Sequence, residues 1–503
     1  MTSPTTPSTP DAPKSETSNH MDVLIRAENG DVIRYDETGL VLRLSDRVLE
    51  DIAQRLRERG LLSDAIGNAT PEITEEDEIE LPDGVDAWSV NRNGPWTRFT
   101  ANLAGKSGPR GFMCKGTHGA IVADTPTPLL GILAIGGSRA ALATDKPCDF
   151  PHHIVAPGDD IGAVGLDGLE KAQSISDVHL LRELTHEALV AEVLLNNALA
   201  QKDALPLYFT RAETDGSTNA NDLAKGVALQ NLVQAAQNLK TAAYDLGKRA
   251  DLLGVFLDFA LEDVLSTPIE YRDAMIALME NISRAFAADG IPAPRFLSFF
   301  ECGTHDIVED STLEGQWELA WNNAGHDLII VAPTYMLALD QDARLQPPAL
   351  ALRSAISAEA LSIAHSGERW YCPTLHLAER DGKKIRVTAQ CHGKLVLDTE
   401  DPFGSGAHFG FALDGVKKDI SITDVKIDPK DPKALLITCN KPIEGPAPVL
   451  RYASGQKPRK GAGYPANCGA LRDEFEPLLH HDETTTDLPL LRRWALPVRL
   501  KIN

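Results

Sequence analysis

The chain has 503 residues, with 49 Lys or Arg against 72 Asp or Glu, and a formal charge of −23 at neutral pH. That length exceeds one ordinary core and predicts about three domains. The spread of acidic residues excludes nucleic acid as a partner, since phosphate binding needs clustered cations, and equally excludes docking on an anionic membrane surface.

No window approaches the roughly 20 apolar residues of a membrane span, so membrane insertion is not expected. No basic segment precedes an apolar run at the N-terminus, so no secretory signal is read and synthesis in the cytoplasm is expected. Seven cysteines (Cys114, Cys148, Cys302, Cys372, Cys391, Cys439 and Cys468) are scattered without a CxxC pair. That pattern fits free thiols in a reducing compartment better than a disulfide framework or a zinc site. No metal and no cofactor are expected.

Residues 1–20 are Ser, Thr and Pro with almost no apolar side chain, which predicts a disordered tail. VLIRAENGDVIRY then alternates apolar and polar residues around Asn29-Gly30, a hairpin signal. Ser45 and Asp46 can cap a helix running to about Arg59, with Val48, Ile52 and Leu56 on one stripe and Gly60 ending it. A hairpin and one short helix make a small core, so residues 21–67 are expected to be an attachment or oligomerisation module. Residues 68–83 hold the acidic run TPEITEEDEIELP, expected to be a solvated linker. Residues 84–128 read as short strands, with Asn93-Gly94-Pro95 and Ser107-Gly108-Pro109 as turns.

From Leu129 the texture changes. The apolar strand LLGILAIGG is followed by helix-like residues 181–201, the strand LPLYFTRAE, a long helix over about 224–247 and the strand LLGVFLDFA. The helix YRDAMIALMENISRAFAADG and the strands RFLSFFE and DLIIVAPTY come next. Strands alternating with helices predict an α/β fold for residues 129–370, an open and mostly parallel sheet with helices on both faces. Residues 371–503 carry runs such as KKIRVTAQ, SITDVKID and ALLITCN at hairpin spacing, which predicts a β-sandwich or similar all-β module.

In parallel α/β sheets ligands gather at the carboxyl ends of the strands. Ser138 follows the first strand on a Gly-Gly turn with Arg139 beside it. RAETDGSTNAND after the second strand supplies Gly216, Ser217, Asn219 and Asn221. LDFALED after the third supplies Asp258, Glu262 and Asp263. The bland reading of Ser138 is a small residue at a turn or helix N-cap, and that of Asp258, Glu262 and Asp263 is a solvated strand end. His152-His153 and His480-His481 lack further ligands at metal spacing and read as loop residues. His305, His326 and His365 read as structural.

The order of these pieces resembles the SGNH hydrolase superfamily, and within it the sialate O-acetylesterase-like proteins carried by phage and gene transfer agent tails or spikes. The resemblance covers about Leu129 to Ala364 and extends into GALRDE and RRWALPVRLKI near the C-terminus. It implies an SGNH or flavodoxin-like three-layer sandwich, with Ser138 at the nucleophile position. The chain departs from the family at three places. Gly137 replaces the usual Gln before the serine, and Asp258-Phe259-Ala260 stands where a Gln-Gly-Glu segment is expected. The resemblance puts the family's terminal motif in LDQDARLQPP, which holds Asp342 and has Arg344 in the place of the catalytic histidine. A guanidinium stays protonated and cannot serve as a general base, and a serine without a base is a weak nucleophile.

Three readings follow from that resemblance. The first is a non-catalytic glycan-binding spike, fibre or tail component of a phage-like particle, made without a signal peptide and incorporated into the particle. It would bind a bacterial surface polysaccharide through Arg139, Gly216, Ser217, Asn219, Asn221, Asp258, Asp342 and Arg344, with Trp317, Trp321 and Trp370 as stacking faces. It would join other particle proteins through residues 21–67 and form a homo-oligomer. The second is an active O-acetylesterase using Ser138 with another base, and the third a purely structural assembly protein.

Overall fold

LLGILAIGG has too many consecutive apolar residues for a strand with one wet face. In the computed structural model, Leu129–Gly136 is a central strand of a seven-stranded sheet, and all but one of its residues are buried. The structure describes residues 85–503 except 117–118, 145, 167, 169, 216–218, 260–265, 309 and 482–486. Of the segment before them it describes three strands, Asp22–Ala27, Gly30–Asp36 and Gly39–Leu42.

Across the large sheet the strands run Val178–Leu180, Ile154–Pro157, Leu207–Thr214, Leu129–Gly136, Ala250–Asp258, Phe296–Phe300 and Leu328–Pro333. Every neighbouring pair is parallel except the Val178–Leu180 edge. Leu207–Thr214 is buried along its whole length, so both faces of the sheet are covered. The helices His186–Gln201 and Pro347–His365 pack together over it, as do Val227–Asp245 and Pro268–Ala288. From Leu129–Gly136 the chain first builds toward one edge of the sheet, then returns and builds toward the other. That reversal leaves a crevice at the carboxyl ends of Leu129–Gly136 and Ala250–Asp258.

The backbone there comes unusually close. A Cβ on Gly136 would lie 1.9 Å from the carbonyl oxygen of Asp258, so only glycine can end this strand. The Gly137 amide donates to that same carbonyl at 3.2 Å.

Several boundaries differ from the sequence reading. The helix expected over 181–201 begins at His186, because Leu184–Thr185 pairs as a short strand with Ala143–Thr144. Ile154–Pro157 and Val178–Leu180 are additional strands whose shortness gives no periodic signal. The segment 87–123 forms a four-stranded antiparallel sheet, with Gly94 and Gly108 at positive φ in the two expected turns. After Trp370, antiparallel sheets of four, three and two strands take over. These β sheets are not set apart from the α/β layers: Trp494, Tyr452 and Leu471 belong to the same continuous buried core as Leu133 and Phe256. All seven cysteines are free, and six are buried. Burial pushes the Cys148 thiol up to about 12 and those of Cys391 and Cys468 to about 11.

Near the N-terminus, Asp22–Ala27 pairs antiparallel with Gly30–Asp36, Ala27 standing opposite Gly30, and Gly39–Leu42 adds a third strand. The expected tail, the helix after Ser45 and the acidic run lie outside the described residues. Contacts divide the chain into two compact units, Met1–Glu78 and Ile79–Asn503. Deleting residues 1–78 should therefore leave a folded protein whose melting temperature, read by calorimetry, is unchanged. A drop of more than a few degrees would place part of that segment in the core of the larger unit.

Candidate functional site

The crevice at the sheet's carboxyl edge is completed by turns that follow three strands. Leu129–Gly136 leads into a turn bearing Ser138 and Arg139, closed by the Ala140 amide donating to Gly137 O at 3.1 Å. Phe296–Phe300 leads into Glu301, Gly303 and Thr304, and Leu328–Pro333 leads into Thr334. With the 339–345 loop and Pro465 these residues line a cavity of about 490 Å³. Ser138, Asp342 and Arg344 are exposed at it. Serine and arginine positions 206 residues apart in the chain therefore share one cavity.

The 339–345 loop is shaped by Asp340. Its Oδ1 accepts the amides of Asp342 at 2.9 Å and Arg344 at 2.8 Å, while its own amide donates to Arg344 O at 2.8 Å. Ala343 takes a φ of 60° inside this turn, a strained choice for a residue with a Cβ. The Leu339 amide donates to Gly463 O at 2.8 Å, and the reciprocal bond measures 2.9 Å, so the C-terminal part pins the loop.

Glu301 is the buried carboxylate of the cavity. The Arg139 guanidinium donates to one of its oxygens, while the other accepts the Gly303 amide at 3.0 Å and the Thr334 hydroxyl at 3.3 Å. Gln316 grips its backbone on both sides, at 2.7 and 3.1 Å. The Gly303 turn is tight: its φ is +81° and a Cβ would fall 2.3 Å from Ile307 O. Apart from Arg139, none of this group is singled out by the sequence, although Glu301 immediately follows a strand of the parallel sheet, where the carboxyl-end rule points.

Beneath the crevice lies a buried polar layer. Asp258 is not the solvated strand end the sequence suggested; it is 5% exposed and paired with Arg353, whose side chain is 2% exposed. Arg353 also lies over the Phe299 ring, 5.1 Å from its centroid. His186 Nε2 lies 3.1 Å from Ser357 Oγ, and burial holds this imidazole far below its usual range. Glu187 accepts the Thr185 hydroxyl at 2.6 Å, and burial pushes its carboxyl up to about 7.

Of the residues singled out from sequence, Ser138, Arg139, Asp342 and Arg344 line the cavity. Asp258 does not, because Arg353 takes it into the layer below. Asn219 and Asn221 do not line it either. Asn219 caps the short helix Ala220–Leu223 by accepting the Asp222 amide at 3.1 Å, and Asn221 accepts from Lys225 at 3.4 Å. Gly216, Ser217, Glu262 and Asp263 lie outside the described residues. Trp370 is buried, Trp317 donates to Leu375 O, and Trp321 is half exposed. His305 is buried just after the cavity residue Thr304. Among the described residues lining the cavity there is no histidine, and no group of residues is arranged to hold a metal ion.

No family model and no curated protein matches the chain. Among solved structures, a carbohydrate acetylesterase from Xanthomonas citri aligns at 12% identity and a TM-score of 0.46, over 77% of this chain and 86% of that one. A protein from Arabidopsis thaliana aligns at 11% identity and a TM-score of 0.34, over 47% of this chain and 98% of that one. A chitinase from Chromobacterium violaceum aligns at 12% identity and a TM-score of 0.20, over 67% and 86%.

Two predictions come from the buried layer. Removing one member of the Arg353–Asp258 pair leaves an uncompensated charge, so Arg353→Met should cost about 3–5 kcal/mol in urea unfolding. Adding Asp258→Leu should recover much of that loss; equal loss in the single and double variants would mean the two charges do not act as a pair. The second concerns Glu187. Below pH 4.5 folded and unfolded chains both hold its proton. Between 4.5 and about 7 only the folded chain does, so unfolding becomes easier as pH rises, by about 3 kcal/mol across that window. Glu187→Gln should remove this slope, so the variant gains on the native protein from pH 4.5 to 7 and stays level above. A constant difference across that range would refute the buried, protonated carboxyl.

Proposed function

We propose that this chain binds a bacterial surface polysaccharide without cleaving it, using the crevice of a degenerate SGNH-type esterase scaffold as part of a phage-like particle. The observation that carries the reading is that Ser138 and Arg344 line the same cavity. In the resembled family that pairing would be nucleophile and histidine base. Here the second partner is a guanidinium, which supplies donors but accepts no proton. Without a base the serine loses about 10²–10⁴-fold of rate.

What remains suits hydroxyl recognition. Ser138 carries a hydroxyl, Asp342 accepts, and Arg344 donates from a planar fork. Leu142, Leu339 and Pro465 give apolar walls for the C–H face of a sugar ring. The Arg139–Glu301 pair, already satisfied from within the protein, holds the floor in shape and keeps the polar groups oriented.

The test uses purified protein, a chromogenic acetyl ester and a printed array of bacterial capsular and O-antigen polysaccharides. Binding to at least one polysaccharide is expected, weakened about 10–100-fold by Arg344→Ala, as for loss of a charged hydrogen bond. Ester turnover is expected to stay at the buffer rate. Turnover abolished by both Ser138→Ala and Glu301→Gln would replace this reading with an active O-acetylesterase whose base is the buried carboxylate. Neither binding nor turnover would leave the structural-assembly reading.

A further inference from the structure

Beside the Ser138 cavity lies a second one, of about 530 Å³, on the flank of the helices His186–Gln201 and Pro347–His365. The two are linked by two short stretches of chain. Leu142 lines the first and Thr144 the second; Leu345 lines the first and Pro347 the second. Two residues of chain span at most about 7 Å, less than the length of a disaccharide.

The second cavity has a built polar centre that the sequence reading took for loop residues. Glu359 is fully buried, and one of its oxygens accepts the amides of Leu478 at 3.0 Å and Leu479 at 2.9 Å. The same oxygen lies 2.7 Å from His481 Nε2. The His481 side chain is 2% exposed and lines the cavity, yet its Nδ1 has no hydrogen-bond partner. A buried nitrogen without a partner is a hydrogen bond left to be made. With Nε2 engaged to a carboxylate, Nδ1 accepts if the ring is neutral and donates if it is charged. A hydroxyl group answers either state, because it both donates and accepts.

The charges at the cavity select against an ion. Lys146 is held by Glu192 at 3.0 Å and Asp149 at 3.5 Å, and Lys106 by Asp149 at 2.9 Å. Two cations thus face two anions, leaving no surplus to attract a phosphate or a carboxylate. Leu189, Val193, Pro348 and Ala351 supply an apolar wall. A neutral, hydroxyl-bearing ring with one apolar face fits these features.

We infer that the two cavities are consecutive subsites for one glycan chain, with His481 taking a hydroxyl of a neutral sugar unit one or two positions along from the unit at Ser138. This rests on the glycan-binding reading above. It adds that affinity depends on chain length, and that the second subsite belongs to a neutral sugar.

The experiment repeats the polysaccharide array with each chain also presented as fragments of one to eight units, against the full-length protein and two variants. His481→Leu removes the free nitrogen, and Ala351→Trp fills the cavity from its wall without touching the Glu359–His481 pair, which covers the case in which the first variant unfolds. Single units are expected to bind native protein and Ala351→Trp alike. Longer fragments should bind native protein about tenfold more tightly, one hydrogen bond and its apolar contact, and this gain should vanish in Ala351→Trp. A length gain that survives Ala351→Trp, or no length gain in native protein, overturns the second subsite while leaving the glycan reading standing. Binding of no glycan of any length rejects both.

Discussion

Arg353 is a cation buried in the middle of a helix, and it is tolerated because Asp258 stands at the end of a neighbouring strand to receive it. Neither charge survives burial alone, so the helix Pro347–His365 can dock in one register only. That register sets the rest of the polar interior. One turn beyond Arg353, Ser357 meets His186, and Glu359 reaches the backbone of Leu478 and Leu479 and the ring of His481. A single helix thus ties the strand Ala250–Asp258, the helix His186–Gln201 and the C-terminal segment together. The same docking fixes where its first residue, Pro347, emerges, and with it the loop that displays Arg344.

This helix also marks the limit of what the sequence reveals. The strands Leu129–Gly136, Leu207–Thr214 and Ala250–Asp258 are legible because continuous apolar runs bounded by turn residues have few other interpretations. Pro268–Ala288 is legible because it has a wet face and a capping box at Thr267 and Glu270. Pro347–His365 is buried on nearly every side, including Arg353, Ser354, Ser357 and Glu359. Its polar residues point inward and its alanines carry no stripe, so amphipathic periodicity gives no sign of it.

The site was legible to a similar degree. Rules about strand ends lead to Ser138 and Arg139, because those rules concern where chain emerges from a parallel sheet, while the 342–344 loop is reached only through the family resemblance. They mislead at Asp258, where the emerging carboxylate turns down into the protein toward a partner 95 residues away. They also mislead at Asn219, whose side chain is spent on capping a short helix. His481 shows the same weakness from the other side: a histidine in a loop has no sequence signature of burial, and its partner Glu359 is 122 residues distant. Pairings across such separations are set by packing, and no local pattern encodes them.

The C-terminal β sheets have a part in the site that their distance in sequence conceals. Gly463 hydrogen-bonds Leu339 in both directions, Pro465 lines the Ser138 cavity, and the amide of Ala466 donates to Thr304 O at 3.0 Å. Asn467 reaches the carbonyls of Cys302 and Val308. One short stretch of the β module therefore holds the two loops that carry Thr304 and Arg344. That bracing fixes the backbone from which the Arg344 guanidinium projects, a group that donates hydrogen bonds and accepts no proton. On the proposed glycan-binding reading, rigidity of this kind would serve recognition, because hydroxyl patterns are discriminated by the geometry of fixed donors and acceptors, and loosening the loops would cost binding before it cost folding.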